Sequence, residues 1–353
     1  MKNSKLIGFL IILVSSFMFI QCTSDVVVGP QGEAGIDGID GTNGTNGTDG
    51  INGVDGVGAA SCITCHSNSH REPIQSSYAL SGHAGAGAVA YAGSRASCAE
   101  CHSNEGFINY VTGQPAVDIA NPTAISCTTC HEKHSTFDFE NDGYDYALRT
   151  FEPVEMRKVG TGYTIDYGDK SNTCIECHQP RKLAIIDEDA DGLIEVPNRY
   201  GPHYGAQSIL LEGIYGAEIA GSTDYPTAVS STHRTGASCV SCHMGESSDT
   251  SQGQHSMIPT ANACATCHGD AETLVTNLKT EIEDLMTQLE VLFTAQGLLD
   301  ADGNLVYNVD YPAVVADAYW NYKFIYYDHS HGVHNPAYTR ALLKNSIEAL
   351  EAL

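Results

Sequence analysis

Downstream of Ala271 the apolar positions Leu274, Leu278, Ile282, Leu285, Met286, Leu289, Leu292 and Phe293 recur at intervals of three and four, which predicts one long amphipathic helix. A turn follows at 297–304, with Asp300-x-Asp302-Gly303 as its bend. Two more helices are expected, from about Pro312 to Tyr327 and from Pro336 to Ala352, the second opening with proline in its first turn. Their apolar stripes read as core, or as the packed face of a lid or dimer-forming hairpin. Between Ser61 and Gly269 the pattern is different. Short segments rich in Ser, Thr, Gly and Ala alternate with little periodicity, too little apolar surface to build a core without help. The expected fold class is mainly α with extensive loops.

The first residues carry other signals. Lys2 and Lys5 precede an apolar run from Leu6 to Ile20, too short to span a bilayer, so residues 1–21 read as an export signal peptide. Glycine then recurs at every third position from Gly29 to Gly56, the register of a collagen-like repeat, with Pro30 as its single proline. Such a repeat is either a flexible spacer or the seed of a three-chain assembly. The chain therefore divides into residues 1–21, an anchor and spacer region at 22–58, a loop-rich domain at 59–270 and a helical segment at 271–353 that completes it.

Composition narrows the function. Asp and Glu number 43 against 17 Lys and Arg, a formal charge of 17 − 43 = −26, which excludes a nucleic-acid binder because phosphate backbones demand a basic face. The 13 cysteines matter most. Cys22 directly follows the apolar run and resembles the modified cysteine of bacterial lipoproteins, which would attach the chain to a membrane by lipid and not by a helix. A free thiol in the leader is the plainer reading.

The remaining twelve cysteines fall into one motif repeated six times: Cys62-x-x-Cys65-His66, Cys98-x-x-Cys101-His102, Cys127-x-x-Cys130-His131, Cys174-x-x-Cys177-His178, Cys239-x-x-Cys242-His243 and Cys264-x-x-Cys267-His268. This is the attachment pattern of c-type haem: two thiols on one short turn reach the porphyrin vinyl groups, and the adjacent imidazole lies under the iron. Zinc sites or disulfides could also use cysteine pairs, but neither explains a histidine directly after every second cysteine. Six covalent haem c groups are implied, held by a core packed around them. Nine histidines remain after the six proximal ones: His70, His83, His134, His203, His233, His255, His329, His331 and His334. Six would saturate every iron. Methionine is the other axial choice, from Met156, Met244, Met257 or Met286.

From Ser61 to Leu353 these motifs resemble multihaem c-type cytochromes of the lineage that includes pentahaem nitrite reductase, hydroxylamine oxidoreductase and their electron-transfer relatives. The resemblance implies distal ligands near the motifs and in segments such as Gly201-Pro202-His203-Tyr204-Gly205 and Gly332-Val333-His334-Asn335-Pro336. On that basis His83, His134, His203, His233, His255 and His334 are the distal candidates, and their pairing with particular irons is not readable. The chain lacks the Cys-x-x-Cys-Lys motif of the nitrite-reducing members, and no tyrosine announces the cross-link that hydroxylamine oxidation requires. No catalytic residue is assigned.

One further motif carries chemistry. Asp187, Asp189, Asp191 and Glu195 occupy the first, third, fifth and ninth places of a calcium-type loop with Gly192 at the sixth, but Asn198 replaces the bidentate Glu of an EF-hand. A calcium site and a solvated acidic turn are both open. The sequence thus points to an exported hexahaem electron carrier, an outer-membrane lipoprotein facing the periplasm or cell exterior, that relays single electrons between redox proteins or external acceptors. The acidic body favours basic partners, and the association weakens with salt. Two alternatives stay in play: an oxidoreductase acting on nitrite, hydroxylamine or tetrathionate, and a homo-oligomer, whether trimer, dimer or haem filament.

Overall fold

The computed structural model describes residues 59–135, 146–187, 189–247, 249 and 251–353, so the export signal, Cys22 and the glycine-repeat spacer lie outside the described residues. An isolated turn of helix is costly to nucleate, and each cysteine motif spends its few residues on one such turn. Cys62–His66 closes the helix Ala59–His66, Cys98–His102 closes Ala96–His102, and Cys239–His243 is itself a helix. In the motifs ending at His131, His178 and His268 the histidine N–H bonds to the carbonyl of that motif's first cysteine, at 2.9, 3.0 and 2.9 Å. That bond places both thiols of the motif on one side of the turn. Local caps supply the missing donors and acceptors: Ser126 with Thr129, and Ser238 with Ser241, each form a reciprocal capping box.

The apolar core joins the C-terminal helices to buried residues of the preceding segment, among them Val154, Met156, Ile165, Val196, Ile209 and Leu210. Helix α1 (Ala271–Ala295) is capped by Asp270, whose carboxylate accepts from the Thr273 N–H, and it buries Leu278, Ile282, Leu289 and Phe293. Helix α2 (Ala313–Asp328) is the innermost element, burying Val315, Trp320, Phe324 and Ile325 among others. Helix α3 (Pro336–Glu351) begins under the Asn335 cap with proline in its first turn and buries Leu342, Leu343 and Ile347. Each fully buried side chain of this size contributes about 1.5–3 kcal/mol. Polar groups inside are paired: Trp320 Nε1 donates to the Tyr215 carbonyl at 2.9 Å, and the Asn321 amide both accepts from the Ala217 N–H and donates to the Ala217 carbonyl, each at 2.8 Å. Asn321 also donates to Ser346 Oγ, so one buried amide joins α2 and α3 to the loop that leads toward the cysteine motifs.

Among the described residues, four short strands complete the fold. Val154–Glu155 (β1) pairs antiparallel with Thr164–Ile165 (β2), and Leu193–Val196 (β3) with Val309–Pro312 (β4), in the register Leu193↔Pro312 to Val196↔Val309. The β3–β4 pair ties the acidic turn of the loop-rich region to the entry of α2. The described residues lie in one unit, Asp55–Leu353. It is mostly helical with two small sheets, and among the described residues no helix is long and apolar enough to cross a membrane.

Asp317 gives a pH-dependent prediction. Burial pushes its carboxyl up from 3.8 to about 6. A raised folded-state value means that its contribution is intact below the unfolded value and is lost as pH climbs through the folded one. Thermal melting between pH 4 and 6.5 is expected to show a decline in stability that Asp317→Asn removes.

Candidate haem-binding cavity

A cavity of about 2710 Å³ runs through the loop-rich region, and its lining includes all twelve motif cysteines and all fifteen histidines. Single-ligand pockets span about 300–1,000 Å³, so this space suits a set of large groups. Within it each motif histidine faces one of the six distal candidates. The ring centres are 5.9 Å apart for His66–His134, 6.2 Å for His83–His178 and 6.1 Å for His102–His203. They are 6.4 Å apart for His131–His255, 6.1 Å for His233–His268 and 6.2 Å for His243–His334. An imidazole nitrogen sits about 2 Å from a bound metal and its ring centre roughly 1 Å further back, so two rings trans on one ion stand about 6 Å apart.

No motif histidine faces the candidate that lies nearest to it in sequence. His233 precedes Cys239 by six residues, yet it faces His268. His134 follows His131 by three and faces His66. A residue a few positions from a helical turn cannot come round to the far side of a group that the turn itself carries, so partners arrive from distant segments. His70, His329 and His331 face no motif histidine among the described residues: His329 stacks near Tyr204 at 7° and His331 Nδ1 lies 3.3 Å from Glu283.

The rings are oriented from behind. Nδ1 is in hydrogen-bond contact with the Tyr146 carbonyl in His131 (2.7 Å), Gln207 Oε1 in His178 (3.0 Å), the Val333 carbonyl in His233 (2.7 Å) and the Met257 carbonyl in His243 (2.8 Å). Each acceptor fixes the proton on Nδ1 and leaves Nε2 with its lone pair for a metal. Met257 Sδ lies 3.0 Å from His83 Nδ1, so this methionine backs an imidazole instead of facing another motif. Burial pushes His83 down to about 4, and burial with the nearby Arg181 does the same for His203. Burial also lowers His102, His178, His243 and His255. Neutral imidazoles are the ligating form. His334 differs: burial acts against its charge, but Asp328, only 2% exposed and 2.6 Å from its Nδ1, outweighs burial and raises it.

The second and fourth motifs pack back to back. Cys101 Sγ lies 4.0 Å from the Glu176 carbonyl and Cys177 Sγ lies 3.8 Å from the Glu100 carbonyl. Glu100 and Glu176 hold the same place in their motifs, and Arg157 sits between them, 3.8 Å from the first and 3.0 Å from the second. Tyr110 donates to Glu176 at 2.9 Å and lies under the guanidinium. The Val240 N–H donates to Ser171 Oγ at 3.1 Å, which joins the fifth motif to the residues just before the fourth. Gln207, Asp328 and Arg157 were not singled out by sequence, because a supporting residue has no spacing signature of its own, and Met257, expected as an axial candidate, instead supports His83 and His243.

Elsewhere, the carboxylates of Asp187, Asp189 and Asp191 converge within 4.8 Å of one another. Asp187 Oδ2 accepts from the Gly192 N–H at 2.8 Å, while its buried Oδ1 has no hydrogen-bond partner among the described residues. Glu195 stands outside this group: the chain leaves the turn as β3, which carries Glu195 away to lie opposite Asp310.

Paired thiols on one turn, imidazoles facing at metal-spanning distance and a large apolar lining together fit haem c. No family model matches the chain. It is 29% identical over 270 residues to the C-type polyheme cytochrome OmcB of two Geobacter sulfurreducens strains, an alignment that takes in 62% of this chain and 34% of the relative. The chain thus spans about a third of the length of the relatives it matches. Among solved structures it is similar to the outer cell wall cytochrome OcwA, with TM-score 0.46 and 18% identity over 78% of this chain and 49% of that one. An undecahaem cytochrome from the S-layer of Carboxydothermus ferrireducens gives TM-score 0.42 and 19% identity over 73% and 38%. The curated similarity supports a multihaem c-type cytochrome.

The loop that presents His203 is tightly built, and this makes it testable. A methyl group on Gly205 would drive into the Gln179 carbonyl, whereas one on Gly269 meets nothing within 4 Å. Gly205→Ala is expected to cost about 1–3 kcal/mol by overpacking and Gly269→Ala far less, as read by chemical unfolding of the two variants.

Proposed function

We propose that the chain is a hexahaem electron carrier in which His66–His134, His83–His178, His102–His203, His131–His255, His233–His268 and His243–His334 are the axial ligand pairs. The one-to-one facing of six motif and six other histidines carries this reading. The twelve cysteines would hold the porphyrins by thioether bonds, and the bound irons would supply reversible one-electron chemistry. The protein's own work is positional. Motif turns set the thiols that would hold each porphyrin, Nδ1 acceptors orient the rings, and the packing of the fourth motif against the second and the fifth brings those attachment points together. With both histidines of each pair engaged, no iron would keep an open position for substrate, which supports a relay.

Export follows from the leader at residues 1–21 and from the extracytoplasmic setting of haem c attachment, with Cys22 as the site of lipid attachment and the glycine-repeat segment as a spacer. Redox proteins or external electron acceptors are the partners this reading implies. Calcium is proposed at Asp187, Asp189 and Asp191, where the unpartnered Asp187 Oδ1 supports a cation and β3 fixes the turn.

Natively matured protein is expected to carry six haem additions by intact mass and to show only low-spin ferric signals in electron paramagnetic resonance. His255→Ala should convert one signal to high spin and leave the haem count unchanged. A bare polypeptide mass, or a high-spin signal in the unaltered protein, would contradict the reading. For the cation, added calcium is expected to raise the melting temperature of the unaltered protein and to leave an Asp189→Asn, Asp191→Asn variant unmoved.

A further inference from the structure

The chain is strongly acidic overall, so a place where cations gather without carboxylates is informative. Elsewhere most arginines are committed: Arg149 pairs with Glu132, Arg157 with Glu100 and Glu176, Arg234 with Glu212, and Arg340 with Glu281. Arg95, Arg181, Lys182 and Arg199 form no ion pair among the described residues and all four are exposed. They converge on one edge. Arg95 lies over the Tyr91 ring at 4.7 Å, and Arg199 Nη1 donates to the Tyr91 hydroxyl at 3.3 Å. Lys182 Nζ donates to the Arg199 carbonyl at 3.5 Å, and the Arg181 N–H bonds to the Pro202 carbonyl at 3.0 Å. Asp118, the acid beside this edge, is engaged by the Ala96 N–H.

The edge adjoins a single histidine pair. Arg199 and His203 bracket Gly201, and both hold a left-handed backbone, φ 60° and 72°, that turns the loop sharply between cation and imidazole. Tyr204, 55% exposed, lies 5.5 Å from the His203 ring, and Tyr91 is 62% exposed. Arg181 lines the cavity, and its charge acts on both His102 and His203. Arg95, Lys182, Arg199 and Tyr91 do not line it. Three cations are thus directed to solvent at the rim of the His102–His203 pair.

We propose that this face, formed by Arg95, Lys182 and Arg199 around Tyr91, is where an anionic one-electron acceptor docks and takes electrons from the His102–His203 position. This rests on the relay reading above. One electron leaves the protein and reduces the acceptor by one; no bond is made or broken and no proton moves. A net charge of −26 repels such an acceptor on average, so an unpaired basic edge would favour one place of exit as well as the partner. Cationic partners are drawn to the remaining surface, which gives the molecule an input and an output of opposite sign.

The test uses reduced, haem-loaded protein mixed in stopped flow with ferricyanide as the anionic probe and hexaammineruthenium(III) as the cationic one. The comparison is with a Lys182→Glu, Arg199→Asp variant, aspartate being a residue that tolerates the left-handed backbone. At low salt the variant is expected to react with ferricyanide about two- to ten-fold more slowly and with the ruthenium complex faster. At about 1 M salt, where the screening length is about 3 Å, the two proteins should converge. Unchanged rates with both probes would overturn the proposal. So would a shift in one reduction potential with equal changes in both rates, which would assign the cations to the haem's own carboxylates. The exposed substitution Lys182→Gln provides the same comparison should the double variant fail to fold. A haem count below six in the unaltered protein would instead fail the underlying relay reading.

Discussion

Imidazoles facing one another across 5.9 to 6.4 Å govern this molecule, because contacts from several distant segments of the chain hold those rings in place. A pair at that distance has no useful attraction of its own. It persists only if each ring is gripped from behind, and the grip is visible in the carbonyls of Tyr146, Val333 and Met257, the amide of Gln207 and the carboxylate of Asp328. Asp328 is the strongest of these. A buried anion next to a buried imidazole is costly to keep alone, and Ser330 gives it a further hydrogen bond through its hydroxyl and N–H.

The apolar core has a matching role. Helices α1 to α3, with the buried residues of 154–210, supply the self-sufficient packing that the described residues before Val154 lack, and they extend their order into the cavity through fixed points. Gln207 donates to the carbonyls of Tyr327 and Asp328 at the end of α2 while accepting from His178. The His334 segment follows α2 directly and runs into the cap of α3. Rigidity built from Trp320, Phe324 and Leu342 thus reaches two ring pairs through a few polar contacts.

Sequence disclosed what is local. The thiol and imidazole motifs are legible because two covalent bonds and one axial bond must come from a single turn, and the period of α1 is legible because its buried stripe repeats every three to four residues. The partnering of His83 with His178, or of His243 with His334, was not legible, since it depends on where distant loops meet. Strands β1 to β4 are two to four residues long and carry too few alternations to announce themselves. Glu195 shows the same limit from the other side: its spacing suits a cation loop, but strand pairing with Asp310 decides where it goes.

The ring pairs are also interlaced along the chain, since 66–134 overlaps 83–178, which overlaps 102–203, then 131–255, 233–268 and 243–334. With an iron gripped in each, every peptide bond between His66 and His334 is spanned by at least one coordinate bridge. A protease that nicks an exposed loop would then open the backbone without releasing a fragment, so the molecule behaves less like a string of modules than like a laced garment in which one cut thread leaves the seam closed.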